Sequence, residues 1–177
     1  MRYFLLGIAF LCSLHFTGHI QTDPEVEDED IVAVVKSAYL FKFATSNDWP
    51  EAAKQGPFKI AVYGNERIYR EFLTKYVTKP VGSQPLECDL IEDLSDAEGY
   101  QILYVDKSKS DELDEAGKLV DDSSTLLVAN GRGALDKGAV ISFVTQDSGT
   151  KYIINAKAAE KQGITFGSTI ILWAIQE

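Results

Sequence analysis

Asp106, Lys107, Asn130 and Arg132 stand directly after two short apolar runs, Ile102–Val105 and Leu126–Ala129, and Gly64-Asn65 stands after a third, Phe58–Tyr63. In an open α/β sheet, ligands settle in the crevice beyond the carboxyl ends of the strands. Gly64, Asn65, Lys107, Asn130 and Arg132 are therefore the candidate ligand-binding residues, able to approach a carboxylate. The competing reading is that these are ordinary turns that cap helices and satisfy strand ends. Asp106 also invites comparison with a phosphate-accepting aspartate. That chemistry needs a cation to offset charge, and no acidic pair follows the first strand, where only Glu66 lies near Gly64-Asn65. Asp106 is thus expected to be a strand-end residue bonding to its own turn.

Other chemistry is sparse. Gly131-Arg-Gly133 has glycines but neither the lysine nor the spacing of a phosphate-binding loop, and no dinucleotide fingerprint follows a strand. The two histidines, His15 and His19, lie in or beside the N-terminal apolar run. A chain processed after that run has no histidine base and no His-based metal site, so no catalytic constellation, metal site or cofactor is expected. A histidine-free hydrolase remains a distant alternative class.

The N-terminus is laid out as a secretory signal. Arg2 precedes an apolar run, Phe4 to Phe16, too short to span a bilayer, and processing is expected near Gln21. Residues 1–21 are read as the signal and 22–30 as an acidic linker, because Asp23, Glu25, Glu27, Asp28, Glu29 and Asp30 crowd together there. The rest, 31–177, fits one exported domain that does not itself span a membrane. Cys12 follows Leu11 inside the apolar run, which does not suit lipid attachment, and leaves Cys88 as the one cysteine of a processed chain. Cys88 alternates with Glu87 and Asp89 between Leu86 and Leu90, the pattern of a small buried hydrophobe on a half-buried strand. A net charge of −10 excludes nucleic acid as a natural partner.

The elements that must position these residues are legible from periodicity. Ile31, Val34, Val35, Ala38, Phe41 and Phe43 or Ala44 recur at helical spacing and stop before Trp49-Pro50. Phe41 and Trp49 are expected to hold this helix against a sheet. A strand over Phe58–Gly64 leads through Asn65, a helix cap, into an amphipathic helix carrying Ile68, Phe72 and Tyr76. Leu86–Ile91 reads as an edge strand, Ile102–Val105 as a central one, and Leu113, Ala116, Leu119 and Val120 as a helical stripe. Val140–Val144 and Tyr152–Ile154 flank Asp147-Ser-Gly149 as a hairpin, and Asn155–Gln162 reads as a short helix ended by Gly163. The expected fold is α/β: a three-layer, mainly parallel sheet with helices on both faces and a C-terminal antiparallel hairpin at the edge.

The stretch Ala38–Pro50, AYLFKFATSNDWP, together with Gly138–Phe143, Tyr152–Asn155, Ala158-Ala159 and Gly163-Ile164, resembles the opening and closing motifs of the YfiR-like family of small exported proteins. The resemblance covers roughly Ile31 to Trp173. It implies a non-catalytic regulator outside the cytoplasmic membrane, which in some members restrains a membrane-anchored diguanylate cyclase and so lowers cyclic di-GMP. A sensor kinase would fit the same role, and homodimerisation stays open. The resemblance also implies a C-terminal helix where Thr169, Ile170 and Ile171 would suit a strand. Some members carry cysteine pairs; a processed form of this chain does not. Tyr39, Lys42 and Trp173 are the candidate partner-interface residues, against the alternative that Tyr39 and Trp173 complete the core. The runner-up function is a small-molecule binding module using the strand-end crevice.

Overall fold

The computed structural model describes residues 24–146 and 149–175, with side chains from Glu29 onward; the expected signal segment with His15, His19 and Cys12, and the hairpin tip 147–148, lie outside the described residues. Helix α1 (Pro24–Ser46) opens the described chain. Strand β1 (Phe58–Tyr63), helix α2 (Glu66–Tyr76) and strand β2 (Leu86–Ile91) follow, then β3 (Ile102–Val105), α3 (Leu113–Val120) and β4 (Leu126–Asn130). A hairpin of β5 (Ile141–Gln146) and β6 (Gly149–Ile154), with α4 (Ala156–Lys161) and α5 (Ser168–Trp173), completes the order.

The sheet runs β2-β1-β3-β4-β5-β6, with every pair parallel except β5 and β6. Strand order reverses between β1 and β3, which is where such sheets open a crevice. Successive side chains leave a strand on opposite faces. Ile60, Tyr104, Val128 and Phe143 accordingly join α1, α2 and α5 in one core, while Ala61, Leu103, Leu127 and Ala129 join α3 and the short 3-10 turns in the other. The expected α/β sheet with helices on both faces and an antiparallel edge hairpin is the observed fold, and the C-terminal segment is a helix. Edge strand β2 alternates buried and exposed residues, and Cys88 is buried in it, with its thiol pushed up to about 12 by burial.

Helix α1 departs from expectation in two respects. It begins at Pro24, so residues 24–30 of the stretch expected as an acidic linker are helical. Arg67 of α2 meets both Glu29 (3.3 Å) and Asp30 (2.6 Å) of this helix. The buried stripe is also rotated: Ala33, Ser37, Leu40, Phe43 and Ala44 face the sheet, while Ile31 and Val34 are 55% and 39% exposed. A helix apolar on nearly every side gives no unambiguous phase, and Ser37 fits the core because its hydroxyl donates to the Val34 carbonyl at 3.0 Å. Trp49 packs edge-on against Phe58 of β1, at 5.0 Å between ring centroids, and donates to the Ala44 carbonyl. Phe41 is half-buried against the same core and stacks on Tyr76 of α2 at 4.7 Å.

The last helix is tied to the first. Asp48 and Thr165 exchange two backbone hydrogen bonds of 2.9 Å, and the Tyr152 hydroxyl donates to the Ile170 carbonyl at 2.8 Å. Gly163, at φ +72°, ends α4 and turns the chain toward this junction. Gly167 sits so close to the end of α1 that a Cβ there would lie 1.8 Å from the Ser46 carbonyl oxygen. Backbone must move to admit it, and overpacking of this kind costs about 1 to 3 kcal/mol. Gly167→Ala is therefore expected to lower the unfolding free energy read from chemical denaturation by that amount, whereas Gly133→Ala, which meets no atom within 4 Å, should leave it unchanged.

Candidate functional site

Beneath the N-terminal half of α1, the carboxyl ends of β1, β3 and β4 are joined by one chain of side-chain hydrogen bonds. Lys36 donates from Nζ to Oδ1 of Asn130 at 2.5 Å and to the Tyr104 hydroxyl at 3.2 Å. The Tyr104 hydroxyl in turn donates to Oδ1 of Asp106 at 2.8 Å, and Asn65 donates to the same oxygen at 2.9 Å. The second Asp106 oxygen accepts from the Ser108 backbone N–H at 3.0 Å. Asp106 is thus the strand-end turn residue that the sequence indicated.

Local sequence explains the placement. Asn65 caps α2 by accepting from the Ile68 N–H at 3.0 Å, which fixes its amide nitrogen toward Asp106. Asn130 ends β4 and donates to the Val105 carbonyl at 2.9 Å, so its oxygen is presented to Lys36. Tyr104 is fully buried on the α1 face of the central strand, leaving only its hydroxyl at the strand-end margin. Lys36 also lies 5.5 Å from the centroid of the Phe143 ring and 5.7 Å from that of Tyr104, within the range of cation–π attraction.

The protonation equilibria follow from these contacts. Burial draws Lys36 below the ordinary lysine value, an effect opposed by the negative charge of Asp106. Burial raises the Tyr104 hydroxyl well above the ordinary phenol value, and Asp106 adds to the rise, so it remains a donor. For Asp106 burial alone would raise the carboxyl, but hydrogen bonds from Ser108, Asn65 and Tyr104 outweigh it and hold the group below its usual value. The arrangement anchors charge, and it pairs no nucleophile with a base. Among the described residues no three carboxylate, histidine or cysteine side chains converge as metal ligands.

The residues singled out from sequence divide into groups. Gly64 and Asn65 line a groove of about 570 Å³ on one side of α1, with Glu29, Val32, Ala33 and Arg67. Lys107, Asn130 and Arg132 line a separate cleft of about 330 Å³ on the other, with Lys36, Phe143 and Thr150. Val32 borders both. Lys36 and Tyr104 were not legible as site residues, because each lies inside an apolar run. The one signal was chemical: a lysine and a tyrosine hydroxyl placed where their neighbours are all packed need partners.

Tyr39 packs into an aromatic cluster, with ring centroids 5.1 Å from Tyr152 and 5.9 Å from Phe143. Trp173 does not complete the core; it is 52% exposed, its neighbour Leu172 is 78% exposed, and the Lys42 ammonium lies 4.7 Å from the Trp173 ring centroid. Lys42 and Trp173 therefore share one surface at the junction of α1 and α5, with Tyr39 at its buried margin.

A family model described as YfiR/HmsC-like matches residues 33–174. No curated protein matches the chain. A crystal structure of a conserved domain protein from Vibrio cholerae O1 biovar Eltor superposes with a TM-score of 0.54 at 15% identity, covering 80% of this chain and 58% of that one. The likeness is one of fold, and this chain spans less than two thirds of the length of that protein.

The lowered Asp106 pKa predicts an acid-linked stability change. The unfolded carboxyl titrates near pH 4, above its folded value, so its stabilisation is present above about pH 4 and is lost as pH falls through the folded pKa. Asp106→Asn should cost about 1 kcal/mol at pH 7, at the low end for a charged hydrogen-bond acceptor because the carboxylate is partly solvated. Urea titrations of both forms should converge as pH falls below 4.

Proposed function

This chain belongs to the YfiR/HmsC-like family, and from that premise we propose that it is an exported, non-catalytic regulator that binds and restrains a membrane-anchored signalling partner. The partner is a diguanylate cyclase, with a sensor kinase as the alternative occupant of the same role. The observation that carries the reading in this chain is the exposed edge of α5. Ile171, Leu172 and Trp173 project into solvent in sequence, beside Lys42 of α1. Tryptophan and basic side chains on an apolar surface commonly dominate interface energies. Among the described residues no helix is long and apolar enough to cross a membrane.

Restraint without catalysis requires that the surface bind one partner state more tightly than the other, since equal affinity shifts no equilibrium. In the native host, deletion should raise cyclic di-GMP, and complementation with wild type should restore it. A Leu172→Ser, Trp173→Ala form, verified folded by its unfolding midpoint, should behave as the deletion. Full complementation by that form would remove α5 from the interface, and an unchanged cyclic di-GMP level on deletion would exclude the cyclase as partner.

A further inference from the structure

We propose that the cleft between α1 and the ends of β4 and β5 is a binding site for a small organic anion, whose charged head meets Lys36 and Lys107 and whose apolar body lies on Val32 and Phe143. The proposal rests on the cleft alone and stands or falls independently of the partner surface.

Its size is the first support. A volume of about 330 Å³ is within the range of small-ligand sites, which run from roughly 300 to 1,000 Å³. Its electrostatics are the second. The net charge of the chain is −10, yet among the described residues those bordering this cleft include Lys36 and Lys107 and no carboxylate. A concave wall carrying one sign of charge concentrates ligands of the other sign. The lining also alternates function: Val32, Phe143 and Val144 supply apolar surface, and Thr145 and Thr150 supply hydroxyls. A bare inorganic ion would leave that apolar wall unused, whereas an organic acid or phosphate ester would cover it.

Preorganisation is the third support. Lys36 reaches the cleft from α1 under two directional hydrogen bonds, to Asn130 and Tyr104, and its ammonium lies 5.5 Å from the centroid of the Phe143 ring. Its position does not have to be purchased on binding, because the protein already fixes it. Its burial weakens its hold on its proton, and an anion seated against it would reverse that weakening. Asp106, the nearby carboxylate, has its oxygens taken by Tyr104, Asn65 and the Ser108 N–H, so it supports the cation from behind and does not border the cleft.

The test uses four probes on the purified chain: benzoate, phenyl phosphate, the neutral isostere benzyl alcohol, and inorganic phosphate. Backbone amide NMR shifts of Gly131, Thr145 and Thr150 report occupancy. Saturable shifts are expected with benzoate or phenyl phosphate, and the tighter of the two identifies a carboxylate or a phosphate head. Binding by benzyl alcohol should be at least tenfold weaker. Lys36→Met should weaken the better anion by about tenfold or more, as loss of a charged hydrogen-bond donor does. Lys107 is exposed and has little part in folding, so Lys107→Gln supplies a second variant if Lys36→Met is unstable, with weakening of a few-fold expected. No saturable shift with either organic anion, equal binding of benzyl alcohol, or unchanged affinity in a folded Lys107→Gln form overturns the proposal. Binding of inorganic phosphate as tight as that of phenyl phosphate overturns the role given to Val32 and Phe143.

Discussion

An amine carried under a helix loses the water that solvates its charge, and the junction of α1 with the sheet depends on how Lys36 meets that loss. Removing an ammonium from water costs several kcal/mol unless hydrogen bonds and opposite charge replace the solvent. Asn130 and Tyr104 supply the lone pairs and Asp106 supplies the charge at one remove, through the Tyr104 hydroxyl. Tyr104 and Asp106 stand at the end of β3 and Asn130 closes β4, so the requirement of one side chain aligns the ends of these two strands beneath α1. Asn65 extends the same chain to β1 and, by capping α2, to the next helix. Deleting one member leaves its neighbours with unmade hydrogen bonds, which costs more than the bond itself contributes. The network is therefore expected to vary as a unit.

The fold was legible in the sequence wherever an element had one dry side or two. Ile102–Val105 and Leu126–Ala129 read as central strands because no polar residue interrupts them, and all eight residues are buried. Leu86–Ile91 read as an edge because Glu87 and Asp89 alternate with apolar residues. Helix α1 gave its existence and its end but not its orientation. With Ile31, Val32, Val34, Val35 and Ala38 distributed around its circumference, apolar periodicity fits several rotations. The choice was made by shape and by hydrogen bonding. Small Ala33 and self-satisfied Ser37 allow close approach to the sheet, and Lys36 must point to the one margin that offers it partners.

Site residues were less legible, for a related reason. Strand-end turns can be found from sequence because they follow apolar runs, and that rule located Lys107, Asn130 and Arg132, which do border one cleft. The same rule joined Gly64 and Asn65 to them, but a turn position does not reveal how its side chain is spent. Asn65 uses its oxygen on Ile68 and its nitrogen on Asp106. The residues that shape the cleft from above, Val32 and Lys36, belong to an element far away in sequence, and no local pattern records that juxtaposition. Trp173 illustrates the converse. Its apolar character suggested core, whereas the short α5 has room to bury only Ile170 and leaves the next three side chains outside.

These features meet in α1, and its rigidity sets what regulation through this domain would require. Lys36 and Lys42 are six residues apart, about 9 Å along a helix axis. The first faces the cleft and the second lies over Trp173. A ligand that moved Lys36 by a fraction of an ångström could not do so without loading the helix that carries Lys42, because Leu40 between them and Phe43 next to Lys42 are fully buried and close-packed interiors transmit displacement. Proximity alone does not make the sites coupled. Coupling demands that each ligand distinguish the same two arrangements of α1, and its free energy would then be reciprocal: whatever factor an anion imposed on partner affinity, the partner would impose on the anion. The aromatic contacts of Tyr39 with Phe43, Phe143 and Tyr152 lie between these two positions. They are the interactions that any second arrangement of α1 would have to break and remake, and their close packing favours discrete alternatives over a graded shift.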